Sequence, residues 1–166
     1  MPKYAFFVAG TGNHNDRLQA FNQALLNAGP LAHNLVMVSS VMPAGCKIVS
    51  PNEGFEMLTA GQITFCVMAR QDTNQLNEFA SAAVGMARPK DPKKFGYISE
   101  YHGDAQGQHE AETIVKRLAV EMLETKTSIQ IRNTNPDIVV HTTAASIQHP
   151  DNDSWVCAVA LCIFIL

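Results

Sequence analysis

Two adjacent hydroxyls, Ser39-Ser40, close the apolar run Leu35-Val36-Met37-Val38 and stand just before Val41-Met42-Pro43. Serine is common wherever a strand ends in a turn, so the pair by type alone names no reaction. Gly10-Thr11-Gly12-Asn13 follows another apolar run and could cradle a phosphate. The third glycine of the dinucleotide fingerprint is missing, however, and no acidic ribose partner follows a second strand, so a simple strand-to-helix turn is expected there. The six histidines, His14, His33, His102, His109, His141 and His149, include no pair at four-residue helical spacing and none with a cysteine partner, which does not spell a zinc site. His102 is close to Glu100 in sequence and could line the same pocket. Cys46, Cys66, Cys157 and Cys162 show no Cys-x-x-Cys spacing, and three lie in apolar runs. They are expected to be buried free thiols of a protein in a reducing cytoplasm.

The 166 residues fit one domain, 1–166, with no internal repeat or linker, and at this length roughly two-thirds of the unfolded surface can be buried. Charged residues make up only 16%, against about 25% in typical soluble domains, which implies that another subunit covers part of the surface. A net charge of -3 gives no electrostatic reason to expect nucleic acid or anionic lipid as a partner. The apolar stretch after Met1 is too short for a signal-peptide core. Trp155 to Leu166 falls short of the ~20 residues needed to span a bilayer, so a buried strand is expected and no membrane partner.

Several elements must hold these groups in place. Tyr4 to Gly10 predicts a first strand. From a plausible N-cap at Asp16, Leu18, Phe21, Leu25 and Leu26 predict the apolar face of a helix that stops at Gly29-Pro30, with Asn15, Gln19, Asn22, Gln23 and Asn27 opposite. Leu35 to Val38 predicts a buried strand that delivers Ser39-Ser40 where it leaves the sheet, before the break at Pro43-Ala44-Gly45. Ile48-Val49, Phe55 to Leu58 and Ile63 to Met68 are further strand candidates. Asn77 to Ala87 reads as strand, because Gly85 and Arg88-Pro89 oppose a long helix, and Arg88 to Lys94 reads as a solvated turn. Phe95 to His102 predicts the strand that carries Glu100. Ala111, Ile114, Val115, Leu118, Met122 and Leu123 mark one face of a second helix. Ile129 to Asp137 reads as irregular, and Asp137 to Thr143 and Ser154 to Ile165 as closing strands. Apolar strands without polar alternation are covered on both faces, so the expected class is α+β, with sheets packed on each other and helices outside.

Asn34-Leu35-Val36-Met37-Val38-Ser39-Ser40-Val41-Met42-Pro43, together with Gly96-Tyr97-Ile98-Ser99-Glu100-Tyr101-His102, resembles the pyruvoyl-dependent arginine decarboxylase family. The likeness runs through most of the chain, and the Asn-(x)4-Ser-Ser-x-x-Pro element is its most specific part. The resemblance implies self-cleavage between Ser39 and Ser40. Ser40 Oγ attacks the Ser39 carbonyl, the resulting ester is eliminated, and Ser40 becomes a covalent pyruvoyl group, leaving a β chain of 1–39 and an α chain of 40–166. Asn34 matches the family's asparagine that assists cleavage by donating to the developing oxyanion. The substrate's α-amine then forms a Schiff base with the pyruvoyl, which acts as electron sink during loss of carbon dioxide. Glu100 matches the glutamate that returns the proton. No other cofactor and no metal is implied.

The family also places an aspartate in Phe-Asp-x-Ala-Leu, where it binds the guanidinium of arginine, whereas this chain has Phe21-Asn22-Gln23-Ala24-Leu25. Asn22 can accept a hydrogen bond but forgoes the charged pair, and Asp16, Glu53 or a carboxylate of a neighbouring subunit are alternatives. The implied fold is a four-layer α/β/β/α sandwich of the pyruvoyl-dependent histidine/arginine decarboxylase type. The implied assembly is a trimer of cleaved protomers with active sites at subunit boundaries. Decarboxylation of arginine to agmatine is the leading expectation. The alternatives are the same chemistry on another amino acid, or a noncatalytic oligomeric ligand-binding protein of the same fold.

Overall fold

A computed structural model describes residues 1–30, 32–127, 137–150 and 153–166. The irregular stretch expected from Ile129 lies outside the described residues up to residue 136, as do Asp151 and Asn152 between the closing strands. In chain order the elements are β1 (Tyr4–His14), α1 (Arg17–Ala28), β2 (Asn34–Met37), β3 (Val41–Met42), β4 (Lys47–Ile48), α2 (Pro51–Glu56), β5 (Ile63–Thr73), β6 (Phe79–Pro89), β7 (Gly96–Gly103), α3 (Gln108–Thr127), β8 (Ile138–Gln148) and β9 (Trp155–Ile165). The class is α+β, with two sheets and three helices among the described residues. One sheet has the order β2-β5-β9-β1-β4 and the other β3-β7-β6-β8. At their centres β9 runs antiparallel to β1 and β5, and β6 antiparallel to β7 and β8. Both central strands are buried almost end to end, which explains why they carry no polar alternation.

Phe7, Val67, Val84, Met86, Ile98, Val156 and Phe164 form the core between the sheets. On the far side of the five-stranded sheet, Ala20 and Ala24 of α1 meet Phe6, Val159 and Leu161. On the far side of the four-stranded sheet, Ala111, Val115, Ala119 and Leu123 of α3 pack on β6 and β8.

Four sequence expectations are corrected. Gly10-Thr11-Gly12-Asn13 is not a turn but part of β1. Its glycines are required because α1 lies directly on the strand: a Cβ on Gly12 would stand 2.1 Å from the Ala20 carbonyl oxygen, and one on Gly10 would stand 2.4 Å from the Ala28 nitrogen. The same close approach selects the buried face of α1. Ala20 and Ala24 are fully buried, while Leu18 and Leu26 are 67% and 56% exposed. Phe55 lies in α2 rather than a strand, because Ser50 and Glu53 form a reciprocal capping box with Pro51 in the first turn, and these start signals prevail over a short apolar run. Finally, β2 is an edge strand with Val36 and Met37 exposed rather than buried.

The N-terminus of α1 is tied to the end of β5 through Asp72, whose side chain is 5% exposed and receives Arg70 Nε and Arg17 Nη2 at 2.8 Å each. Burial pushes the Asp72 carboxyl up, but hydrogen bonds from Arg70, Cys157 and Arg17 outweigh it and hold the group below its ordinary value. A carboxyl depressed on folding stabilises the fold above its unfolded pKa, near 3.8, and that contribution disappears as pH falls through the lower folded value. Asp72→Asn is expected to lower neutral-pH stability by about 1–3 kcal/mol, most of it through Arg70, since Arg17 is exposed and screened. It should also flatten the acid limb of the Tm-against-pH curve below about pH 4. An acid limb as steep as that of the wild type would refute this account.

Candidate active site

The serine pair stands where the chain passes from one sheet to the other. Residues 34–37 of β2 run parallel to 63–66 of β5, and Val38 N–H extends the ladder to the Cys66 carbonyl at 2.9 Å. Two residues later the chain belongs to the opposite sheet: the Ser40 carbonyl accepts Ile98 N–H at 2.9 Å, and Val41 and Met42 pair with Tyr97 and Gly96. The Ser39–Ser40 peptide bond therefore spans the gap with each flank held by a different sheet. Between them, the Ser39 carbonyl oxygen accepts Val41 N–H at 2.9 Å, a tight turn about Ser40.

Ser40 Oγ donates to Glu100 Oε1 at 3.1 Å. Glu100 is fixed in the middle of β7, paired with Val84 of β6. The neighbouring Ser99 is buried and donates to the Val115 carbonyl of α3 at 2.7 Å. A Cβ on Gly85 would lie 2.9 Å from that same carbonyl oxygen, so α3 is seated tightly on β6 and β7 beside the serine. A cavity of about 360 Å³ remains between β7 and α3, lined by Ser40, Tyr97, Ile98 and Glu100 and, from the helix, by Leu118 and Met122. These two helix residues, expected on the core-facing side, are only half-buried because they border this space. Ala119, which periodicity passed over, is fully buried in their place.

Cys66 lies close enough for Glu100 to act on it. Burial first, and the Glu100 charge second, push its thiol up to about 11. The thiol therefore stays protonated at neutral pH and does not compete with Ser40 as a nucleophile. Sequence reasoning placed Cys66 only as a buried thiol and Leu118 and Met122 only as core, and did not single out Val41 N–H, since nothing in local spacing shows which strands become neighbours.

Of the residues singled out in the sequence, Ser39, Ser40 and Glu100 come together. Asn34 does not join them within one protomer: it opens β2, its Nδ2 donates to the Gly61 carbonyl at 2.7 Å, and an extended chain puts it roughly 10 Å from Met37 alone. Asn22 is exposed on α1, over the other sheet and outside the cavity lining. Asp16 caps α1 by accepting Gln19 N–H at 2.9 Å, and Glu53 closes the Ser50 capping box. His102 is exposed on β7 and does not line the cavity. Among the described residues, no three His, Cys, Asp or Glu side chains are grouped to hold a metal. No described helix is long and apolar enough to cross a membrane.

A family model described as pyruvoyl-dependent arginine decarboxylase matches residues 4–166. The Methanococcoides burtonii pyruvoyl-dependent arginine decarboxylase is 45% identical over 130 residues, covering 78% of this chain and 72% of that protein. The Archaeoglobus fulgidus pyruvoyl-dependent arginine decarboxylase 2 is 48% identical over 128 residues, 77% of this chain and 80% of its own. A Methanocella arvoryzae pyruvoyl-dependent arginine decarboxylase is 37% identical over 167 residues, spanning 100% of this chain and 97% of that protein. With a match over nearly its whole length and a serine pair placed beside a carboxylate, this chain belongs to the pyruvoyl-dependent arginine decarboxylase family.

Proposed function

We propose that the chain cleaves itself between Ser39 and Ser40 and then decarboxylates arginine to agmatine. The observation that carries this is the Ser40 hydroxyl 3.1 Å from Glu100 Oε1, on the peptide bond that bridges the two sheets. Ser40 Oγ adds to the Ser39 carbonyl carbon as Glu100 accepts its proton. The oxygen that gains charge already has Val41 N–H as donor, and one such donor is typically worth about 2.7–4 kcal/mol of barrier. The carbon–nitrogen bond breaks and the amine leaves protonated. Loss of the Ser40 α-proton then expels the Ser39 carboxylate, and the remaining dehydroalanine takes up water and releases ammonia. After cleavage each new end stays hydrogen-bonded in its own sheet, through Val38 on one side and Ser40 on the other.

The surroundings fit a pyruvoyl group at position 40: the residue borders the cavity, Glu100 is within hydrogen-bond reach, and the Cys66 thiol is held protonated. When formed, the group supplies a ketone that condenses with the substrate's α-amine and takes up the electron pair left by carbon dioxide. Glu100 returns a proton at the carbon beside position 40.

The protomers form a trimer, in which Asn34 assists cleavage of a neighbouring subunit's bond and Asn22 faces a neighbouring subunit's substrate. Two observations support this. Val36, Met37, Val38 and Val41, flanking the serine pair, are 37–58% exposed, and Asn34 lies away from its own Ser40. The layers form an α/β/β/α sandwich, with α1 outside the five-stranded sheet and α3 outside the four-stranded one. The four cysteines are buried free thiols, which suits a reducing compartment such as the cytoplasm.

Intact mass under denaturing conditions is expected to show chains 1–39 and 40–166, the second lighter by one ammonia than a chain beginning with a free Ser40 amine. Carbon dioxide release from a panel of amino acids should be greatest with arginine. A single uncleaved chain that still turns over substrate would overturn the proposal. Turnover of a different amino acid in its place would favour the same chemistry on another substrate, for which Asn22 in the family's aspartate position speaks.

A further inference from the structure

We infer that the carboxylate which self-cleavage creates on Ser39 pairs with Glu100 and shares one proton with it, so that cutting the chain turns Glu100 from the base of the first reaction into the acid of the second. This rests on the self-cleavage proposed above. The ester joins Ser40 Oγ to the Ser39 carbonyl carbon. When the Ser40 α-proton is lost, the Cβ–Oγ bond breaks and the oxygen leaves on Ser39, so the new carboxylate consists of the former carbonyl oxygen and the former Oγ. Both start from fixed places. The first accepts Val41 N–H at 2.9 Å, and the second stands 3.1 Å from Glu100 Oε1. Val38 N–H, on the Cys66 carbonyl at 2.9 Å, holds the chain end beside them.

In the uncleaved chain the group facing Glu100 is a donor, the Ser40 hydroxyl, which suits a carboxylate. Cleavage replaces it with a negatively charged acceptor, which suits a carboxylic acid. Two carboxylate groups at hydrogen-bond distance do not both stay charged, and they titrate as a pair with one proton between them. No ion pair among the described residues involves Glu100. The basic groups on the surrounding strands are engaged elsewhere, Arg70 on Asp72 and Arg88 on the Cys46 carbonyl. His102 is exposed two residues along β7, and the Cys66 thiol, pushed up to about 11 by burial and by Glu100 itself, brings no positive charge. Ser40 and Glu100 are half-buried, so water screens the pair only in part. A proton is therefore what balances it. Each turnover delivers that proton to the carbon beside position 40 and draws a replacement from water.

Difference infrared spectroscopy at neutral pH reads the proton directly. Cleaved wild-type enzyme is expected to show a protonated-carboxyl stretch that uncleaved Ser40→Ala lacks, and cleaved Glu100→Gln should lack it too. Glutamate labelled with heavy carbon at the side-chain carboxyl should shift the band. The same band in uncleaved Ser40→Ala would mean that burial alone holds the proton, and would overturn the inference. Its absence from cleaved, active wild-type enzyme would do the same while leaving the function standing. Should Glu100→Gln fail to cleave or fold, the label decides: a band that labelled glutamate leaves unmoved overturns the assignment to Glu100. A wild-type chain that stays whole would remove the self-cleavage and this inference together.

Discussion

Ser40→Ala is expected to yield one uncleaved chain with decarboxylase activity reduced more than about a thousandfold, the scale of deleting a covalent catalytic group. On the proposed mechanism the substitution removes the Oγ that attacks the Ser39 carbonyl, and without that ester there is no elimination to dehydroalanine and no ketone. It should not unfold the protein. Ser40 is half-buried, its backbone carbonyl keeps Ile98 N–H, and among the described residues the side-chain bond lost is the one to Glu100. Mass, Tm and carbon dioxide release on one preparation separate the possibilities: an intact fold, a single chain and no turnover are expected together. Normal turnover in that preparation would refute the assignment of the reactive group to position 40.

Glu100→Gln is expected to divide the two reactions. Glutamine keeps a carbonyl oxygen able to accept from Ser40 Oγ at the 3.1 Å position, and Val41 N–H still attends the Ser39 oxygen, so two chains should still appear, on a slower time course. Turnover has no such substitute, because an amide does not deliver a proton. A general acid is typically worth about 10²–10⁴-fold, and kcat should fall by that order while KM for arginine moves little. Loss of cleavage with normal kcat in whatever fraction had matured would reverse the roles given to Glu100.

The difference expected between these two variants follows from how the proposed mechanism divides the site. On the proposed mechanism Ser40 is indispensable because its carbon atoms become the reactive group, whereas Glu100 acts on protons in both reactions and is replaceable in one. Burial and the nearby Glu100 carboxylate push the Cys66 thiol up to about 11, which disfavours the thiolate at neutral pH.

Much of this was legible from residues alone, and the exceptions have a common physical cause. Asp16, Gly29 and the apolar spacing mark the α1 bounds within a residue, because caps and periodicity are local. The buried runs of β6 and β9 announce strands covered on both faces. What failed depended on a neighbour distant in sequence. Gly10 and Gly12 read as a turn until α1 is placed on them, and Leu18 and Leu26 read as core until the helix is seen to approach through its alanines. Leu118 and Met122 read as core until the cavity appears. Phe55 is the exception: Ser50, Pro51 and Glu53 were all available as local start signals and simply outrank a four-residue apolar run.

For the serine pair, the sequence by itself supplied the residues that the proposed chemistry uses. It supplied a hydroxyl next to a backbone carbonyl, an element characteristic of the family before it, and a glutamate in a strand 60 residues later. Only the tertiary structure decided that this carboxylate reaches that hydroxyl, that the bond between the serines crosses from one sheet to the other, and that Asn34 and Asn22 lie apart from both. The reason is the range of the forces involved. Hydrogen-bonded turns, caps and periodicities are settled within a few residues, while the packing of two sheets and a helix brings together groups whose separation along the chain carries no information about their distance in space.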